Sequence, residues 1–157
     1  MMVIVVQRVK GATCAVEGKT VSEIGKGLLV FAGVAESDTE EDVIRAADKL
    51  SGLRIFERED GKMGLSAADA GGEIMVVSNF TLLGRVRRGF RPDCTLAAGP
   101  EKAEKFYDML CARVREVSNV RTVTGVFRAD MQIRADLDGP FNIVFRTEDL
   151  GAPRSGL

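Results

Sequence analysis

The feature that most constrains the fold is a continuous apolar run at residues 28–34, Leu-Leu-Val-Phe-Ala-Gly-Val. A run without alternating polar positions predicts a central strand that is covered on both faces. A second apolar run at residues 74–77, Ile-Met-Val-Val, predicts another buried strand, and this one becomes polar at Ser78. Any fold of this chain must therefore cover these strands with other parts of the molecule.

Shorter segments rich in Val and Ile surround these two runs. They predict strands at residues 2–10, 13–16, 21–24, 53–56, 121–127, 131–135 and 141–145. Apolar residues at helical spacing predict two helices. One is capped by Asp38 with Glu41 at the third helical position and ends at about Gly52, and the other begins at Gly99-Pro100.

Strands outnumber helices in this order and do not alternate with them as in β-α-β units. The order predicts an α+β fold, with a mostly antiparallel sheet curled into a barrel-like core and two main helices. The 157 residues suit a single domain.

Composition limits the chemistry that this chain can perform. The sequence has no histidine, which excludes Ser-His-Asp and Cys-His catalysis. The three cysteines, Cys14, Cys94 and Cys111, are widely spaced, so we expect a reducing compartment and no disulfide framework. We also expect no metal site, no cofactor and no membrane span. The net charge of −1 means that binding to a nucleic acid would require a local basic patch.

Two hydroxyl groups, those of Ser78 and Thr81, lie at and just beyond the end of the second buried strand. They could line a pocket and bind a ligand. They could instead satisfy backbone groups at the strand end, which is a common role for such hydroxyls. The residues by themselves favour the second interpretation.

A cationic segment follows, with Arg85, Arg87, Arg88 and Arg91 inside seven residues. Guanidinium groups pair well with phosphates, which would suit contact with a nucleic acid. A solvated charged loop is the other interpretation, and the residues leave both open.

Residues Asp138-Gly139-Pro140 predict a turn between the strands at 131–135 and 141–145. A peptide bond that precedes proline can be cis. The sequence of this turn leaves the isomer open.

Several motifs, in order along the chain, resemble those of the D-aminoacyl-tRNA deacylase family. The chain has Ser78-Asn79-Phe80-Thr81-Leu82 where the family has Ser-Gln-x-Thr-Leu, and Gly89-Phe90-Arg91-Pro92 where the family has Gly-x-Arg-Pro. The set is completed by Asp130-Met131-Gln132 and Gly139-Pro140.

This resemblance implies one deacylase domain at residues 1–146, followed by a C-terminal tail at residues 147–157. It implies hydrolysis of the ester bond of D-aminoacyl-tRNA and of glycyl-tRNA, as chiral proofreading of translation in the cytoplasm. It also implies a homodimer that binds aminoacyl-tRNA at the subunit interface. A cis Gly139-Pro140 peptide from one subunit would reach into the pocket of the other and exclude L-aminoacyl groups.

The resemblance also implies roles for individual residues. Ser78 and Thr81 would be catalytic, and a hydroxyl of the substrate's terminal adenosine could help to activate water. Thr81 as a covalent nucleophile is a competing hypothesis. The implied substrate-binding residues are Asn79, Phe80, Met131, Gln132, Gly139 and Pro140, and the implied tRNA contacts are Arg85, Arg87, Arg88 and Arg91.

The chain departs from the family pattern at three positions. It has Asn79 where the family usually has Gln, and Leu137 and Asn142 where the family usually has Asn and Thr. These changes leave open a second class of function, a non-catalytic nucleic-acid-binding relative with a role linked to DNA replication. A small-molecule esterase is a third hypothesis, in which the arginine segment would have no purpose.

Overall fold

A computed structural model describes residues 1–151 of the chain. Its strands are β1 (Val3–Val16), β2 (Lys19–Ile24), β3 (Gly27–Gly33), β4 (Phe56–Glu57), β5 (Met63–Leu65), β6 (Glu73–Ser78), β7 (Thr122–Thr124) and β8 (Met131–Arg146). Its α-helices are α1 (Glu40–Gly52) and α2 (Pro100–Ser118), and short 3₁₀ turns lie at Phe80–Leu83 and Thr147–Asp149.

Strand β1 organises the main sheet because it pairs along both of its edges. One edge is antiparallel first to β3 and then to β2, and the other is antiparallel to β8. From β3 the sheet continues to β6 and then to β7, and both of these pairs are parallel. The sheet is therefore mixed, and the prediction of a mostly antiparallel sheet was too simple. Helices α1 and α2 lie in the β3–β6 and β6–β7 connections, and such crossovers return the chain in its original direction.

The sheet is nearly closed into a barrel. Polar contacts connect β2 to the far end of the sheet. Arg121, just before β7, donates a hydrogen bond to the Glu23 carbonyl of β2 at 2.9 Å and to the Glu73 carboxylate of β6 at 2.6 Å. The same carboxylate accepts a hydrogen bond from the Gly25 N–H at 2.9 Å. The Glu73 side chain therefore contacts both the residue that follows β2 and the residue that precedes β7.

The apolar run of β3 is covered on both faces, as the sequence predicted. Leu28 and Val30 belong to the core between the sheet and the two helices, where they join Leu50 of α1 and Leu110 of α2. Leu29 belongs to a second cluster inside the curve of the sheet. The helices therefore cover one face of β3, and the curled sheet covers the other.

Helix α1 has a different N-cap from the one predicted. The cap is Thr39, which forms a capping box with Asp42, and not Asp38 with Glu41. Asp38 is buried and accepts hydrogen bonds from a nearby backbone N–H and from the terminal ammonium group of Met1. The Asp38 carboxylate thus binds groups that precede the helix, and the Thr39 side chain accepts the hydrogen bond from the N–H of the third helical residue.

Helix α2 begins as predicted, with Gly99 at the N-cap and Pro100 in the first turn. Its buried face includes Phe106, Leu110 and Val114. None of the helices within residues 1–151 is long and apolar enough to cross a membrane.

Residues 131–146 form one strand and not the two strands and turn that the sequence predicted. Strand β8 pairs with β1 on both sides of Gly139-Pro140, and the register skips residues 138–141, which bulge from the sheet opposite Arg8. The Gly139-Pro140 peptide bond is cis, as the family resemblance implied. Residues 138–141 therefore form a bulge within a strand that pairs with β1 on both sides of it.

The chain beyond β8 starts as part of the packed structure. Thr147 is buried, its hydroxyl accepts a hydrogen bond from the Met2 N–H, and its own N–H donates to the Met2 carbonyl. The remainder of the expected tail, residues 152–157, lies outside the described residues.

Candidate active site

A cavity of about 770 Å³ opens at the carboxyl end of β6. Three parts of the chain line it. They are residues 77–81 at the end of β6 and in the turn that follows it, residues 97, 98, 100 and 103 at the start of α2, and residues 127–131 leading into β8. Phe31 and Ile133 add apolar surface. A largely apolar cavity of this size with a few polar groups suits a small molecule or the end of a larger one.

The structure brings together five of the residues singled out in the sequence. Ser78, Asn79, Phe80, Thr81 and Met131 all line this cavity. The sequence by itself favoured a local backbone role for the two hydroxyls, yet both belong to the wall of a pocket. Phe80 is 59% exposed, so its ring is available to a bound molecule.

Asn79 determines how this wall is shaped. It is the N-cap of the 3₁₀ turn, and its side-chain oxygen accepts from the Thr81 N–H at 3.2 Å and from the Thr81 hydroxyl at 2.5 Å. As the first residue of the turn, Phe80 has a backbone N–H with no acceptor inside the turn. Within residues 1–151 the Phe80 N–H has no hydrogen-bond acceptor, while the Thr81 hydroxyl already donates its proton to Asn79.

Asp130, which belongs to the Asp130-Met131-Gln132 motif, also lines the cavity. Other residues of the cavity were missed in the sequence. Arg128 brings charge to the wall and has a backbone φ of 63°. Ala98 and Ala103 leave room at the start of α2. No local pattern marks these residues, because they reach the cavity only through the packing of α2 and β8 beside β6.

The arginine loop, residues 85–93, is closed at its base by its two end residues. The backbones of Arg85 and Asp93 exchange hydrogen bonds of 2.8 and 3.0 Å, and Arg85 Nη2 lies 2.5 Å from the Asp93 carboxylate. Hydrogen bonds from Thr95, followed by the contact with Arg85, lower the pKa of Asp93 to about 2. The loop is therefore shaped, and one of its four arginine charges is neutralised.

The other arginines have no such partner. Arg87, Arg88 and Arg91 form no ion pair with any residue in 1–151. Arg87 and Arg88 line a second cavity of about 420 Å³ together with Arg85 and Asp93. The sequence could not distinguish the paired arginine from the unpaired ones.

The bulge around Gly139-Pro140 does not line the cavity of its own chain, and neither does Gln132. The Arg8 side chain of β1 supports the bulge. Its side chain contacts the carbonyl and carboxylate of Asp138 at 3.3 and 3.2 Å, donates to the Ile55 carbonyl at 2.7 Å, and lies 4.8 Å from the centre of the Phe141 ring. The bulge is therefore supported by a buried cation while Gly139 and Pro140 themselves stay exposed.

Clusters of acidic or cysteine side chains that could hold a metal ion do not occur among residues 1–151. The thiol of Cys111 is buried, and burial raises its pKa to about 11. It is therefore protonated near neutral pH and unsuited to act as a nucleophile.

The fold is shared with solved structures. The chain superposes with a TM-score of 0.86 on a structure titled "c-Myc DNA Unwinding Element Binding Protein", at 37% identity over 92% of this chain and 97% of that one. It superposes with a TM-score of 0.80 on "Structural Analysis of a probable eukaryotic D-amino acid tRNA deacylase", at 19% identity over 92% and 99% of the two chains. The second similarity, at this identity, concerns the fold alone, and it places the chain in the same fold class as that structure.

The sequence narrows this class to one family. The model of the D-Tyr-tRNA(Tyr) deacylase family matches residues 5–146, and the chain belongs to that family. It is 51% identical over 146 residues to the D-aminoacyl-tRNA deacylase of Thermotoga petrophila, covering 93% of this chain and 97% of the relative. It is 46% identical to that of Dictyoglomus turgidum, covering 96% of each. The family predicted from the motifs is thereby confirmed.

Proposed function

We propose that the protein hydrolyses the ester bond of D-aminoacyl-tRNA and releases the D-amino acid and free tRNA. The observation that carries this proposal is the cavity at the end of β6, where Ser78, Phe80 and Thr81 meet beside a loop with unpaired cations. An apolar cavity with hydroxyls suits an aminoacyl group on a terminal nucleoside, and the cations suit the phosphates that precede it. The family membership supports the same substrate.

The reaction uses water as the nucleophile. Water oxygen attacks the ester carbonyl, the bond from the carbonyl carbon to the ribose oxygen breaks, and the ribose oxygen takes up a proton. An aminoacyl ester is already reactive, so positioning and stabilisation of the oxyanion supply much of the acceleration. The free N–H of Phe80 is our candidate for the oxyanion donor.

Within residues 1–151, no general base is hydrogen-bonded to the Thr81 hydroxyl. The Thr81 hydroxyl donates to Asn79, and an amide oxygen does not accept a proton outright. Thr81 therefore lacks the activation that a covalent nucleophile requires. The adenosine's neighbouring ribose hydroxyl is the group that we assign to activating water.

Selection against L-aminoacyl groups is assigned to Gly139 and Pro140 of a second subunit. Two observations support a homodimer with this arrangement. The bulge is exposed and away from its own cavity, and β8 presents exposed apolar side chains at Leu137 and Val144. A wall of main chain excludes by steric contact, because it cannot rotate away as a side chain can. Glycyl-tRNA has no side chain to exclude and is also a substrate.

The active unit that we propose is one deacylase domain at residues 1–146, with a tail at 147–157, acting as a proofreader of translation in the cytoplasm. A replication-linked binding role is not favoured, since curated relatives with 43–51% identity are named D-aminoacyl-tRNA deacylase. The name of the solved DNA-unwinding-element protein describes that protein.

The test compares one tRNA charged with the D-amino acid, the L-amino acid or glycine. We expect hydrolysis of the D-aminoacyl and glycyl esters at low enzyme concentration, with the L-aminoacyl ester spared. Equal cleavage of both enantiomers would refute the assignment of the filter, and no cleavage of any ester would refute the proposed activity.

A further inference from the structure

Phe90 is an aromatic side chain without a partner in the fold. It lies in the arginine loop after Gly89, and its side chain is fully exposed. Single exposed apolar residues are common on protein surfaces, so exposure by itself indicates no site. The evidence for a binding role comes from the residues that surround Phe90.

Unpaired cations flank this ring on both sides in the chain. Arg87 and Arg88 precede it and Arg91 follows it, and none of the three forms an ion pair within residues 1–151. The one acidic residue of the loop, Asp93, is occupied by Arg85 at the loop base. The exposed part of the loop therefore combines positive charge with one aromatic face.

The loop leaves and rejoins the chain at the cavity wall. Thr81 lines the cavity and accepts a hydrogen bond from the Gly84 N–H at 2.9 Å, immediately before the loop. Ala97 lines the cavity and donates to the Cys94 carbonyl at 3.0 Å, immediately after it. Both ends of the loop are thus anchored to the rim of the proposed ester site.

We propose that Phe90, Arg87, Arg88 and Arg91 form a stacking platform for the unpaired nucleotides that precede the terminal adenosine. The inference rests on the proposed function, which places that adenosine in the cavity. Aromatic rings bind single strands because unpaired bases offer a free face, while arginines bind the phosphates between them. A duplex has no free base face, and a loop that recognised duplex phosphates would gain nothing from Phe90.

The test uses substitutions at Phe90 and a matched control in the same loop. Phe90→Ala and Phe90→Leu remove the ring, Phe90→Trp keeps an aromatic face, and Val86→Ala removes another exposed apolar side chain, which is 73% exposed and has no ring. Each variant is assayed on D-aminoacyl-tRNA and on D-aminoacyl-adenosine, which carries the ester without preceding nucleotides.

We expect Phe90→Ala and Phe90→Leu to raise KM for D-aminoacyl-tRNA by about 5- to 100-fold, the range for loss of one base–aromatic stack. The value of kcat should be nearly unchanged, and Phe90→Trp and Val86→Ala should stay within about twofold of wild type. With D-aminoacyl-adenosine, every variant should match wild type, because the platform would be empty.

Three results would overturn the platform. The first is an unchanged KM for tRNA in Phe90→Ala. The second is an equal loss on both substrates, which would place Phe90 in the ester pocket. The third is dissociation of a dimer in Phe90→Ala, measured by sedimentation, which would make it an interface residue.

A binding measurement separates failure of this inference from failure of the proposed function. Wild type and Phe90→Ala are titrated with a labelled single-stranded RNA that ends in CCA and with a blunt RNA duplex. We expect Phe90→Ala to weaken binding of the single strand but not of the duplex. The slope of log binding constant against log salt concentration should stay unchanged in Phe90→Ala, whereas Arg91→Gln should lower its magnitude by about 0.7. This outcome would support the platform even if no ester were cleaved, and equal binding by both proteins would overturn it.

Discussion

Arg85 and Asp93 pair through both backbone and side chain, with Nη2 of the arginine 2.5 Å from the carboxylate and backbone hydrogen bonds of 2.8 and 3.0 Å. This pairing closes the arginine loop at its base and neutralises one of its cations. The charges that remain unpaired are those nearer the exposed tip. Arg85 therefore closes the loop, whereas the unpaired positive charge comes from Arg87, Arg88 and Arg91.

The Asp93 carboxyl should titrate at unusually low pH. Hydrogen bonds from Thr95 and the contact with Arg85 lower its pKa to about 2. Because this folded value lies below the unfolded value of about 3.9, the contribution to loop stability is complete at neutral pH and is lost as pH falls through about 2. Carbon NMR of the carboxyl group checks the midpoint. Arg85→Gln should raise it only in part, since Thr95 is the larger cause, and a wild-type midpoint near 4 would contradict the pairing.

Thr81→Ala should retain deacylation within about tenfold of wild type. Its hydroxyl donates to Asn79 and lacks a base, so it cannot serve as an activated nucleophile. Single-turnover cleavage of D-aminoacyl-tRNA measures the effect. Thr81→Ser, which keeps the hydroxyl, is the control. A loss of several orders of magnitude in the alanine variant, with serine active, would establish Thr81 as the nucleophile.

Gly139→Ala should damage activity more than stability alone explains. Gly139 has a φ of 124°, and an added Cβ would lie 3.0 Å from the Phe141 nitrogen and 3.4 Å from Arg8. The bulge must shift, and we expect at least a tenfold loss in kcat/KM for D-aminoacyl-tRNA, together with a lower Tm. Gly18→Ala is the control, because Gly18 also has a positive φ of 77° but no atom within 4 Å of the new Cβ. It should lower the stability by about 1 kcal/mol and leave activity intact. Equal activity in the two variants would remove Gly139 from the site.

Tyr107→Phe should cost about 1 kcal/mol of unfolding free energy. The buried hydroxyl donates to the Val76 carbonyl at 2.8 Å, but that carbonyl also accepts from the Gly125 N–H at 3.1 Å. The carbonyl therefore stays satisfied in the variant, and the ring keeps its stacking against Phe127. Urea unfolding measures the change. A loss above about 3 kcal/mol would mean that the hydroxyl does more than this one bond.

The same hydroxyl should stay protonated in the folded protein at alkaline pH. Burial is the largest cause that raises the pKa of Tyr107. Because the unfolded group ionises at about pH 10, stability from the neutral hydroxyl is present below that pH and is lost as pH rises above it. Tyr107 is the single tyrosine of the chain, so ultraviolet absorbance of tyrosinate reports on it alone. Ionisation should appear only together with unfolding, and Tyr107→Phe should lack this alkaline loss. Ionisation of the native protein near pH 10 would contradict the burial.

Sequence patterns predicted correctly those features that depend on residues close together in the chain. The apolar run of β3 predicted a strand covered on both faces, and Pro100 predicted the start of α2. The cap of α1 was misassigned because Asp38 and Thr39 are both good caps. In the structure Asp38 instead accepts from the Ala35 N–H and from the terminal ammonium of Met1, which is 37 residues away.

Strand β8 also shows that local sequence patterns cannot predict a feature that depends on distant residues. Asp138-Gly139-Pro140 has the composition of a turn, and nothing within it indicates that the chain continues in one strand. Pairing with β1 on both sides decides that it bulges instead, and Arg8 supports the bulge from the neighbouring strand. A contact of this kind depends on residues 130 positions apart in the chain.

The amino-acid sequence by itself determined the buried strands, the main helices and the family, because each depends on residue types at short or ordered spacing. Only the tertiary structure decided that Ser78 and Thr81 line a cavity, that Arg85 is neutralised, and that Phe90 is left exposed among unpaired cations. The physical reason is that burial and charge pairing depend on distances through space. Those distances are set by how β6, α2 and β8 pack together, and no segment of the chain encodes them alone.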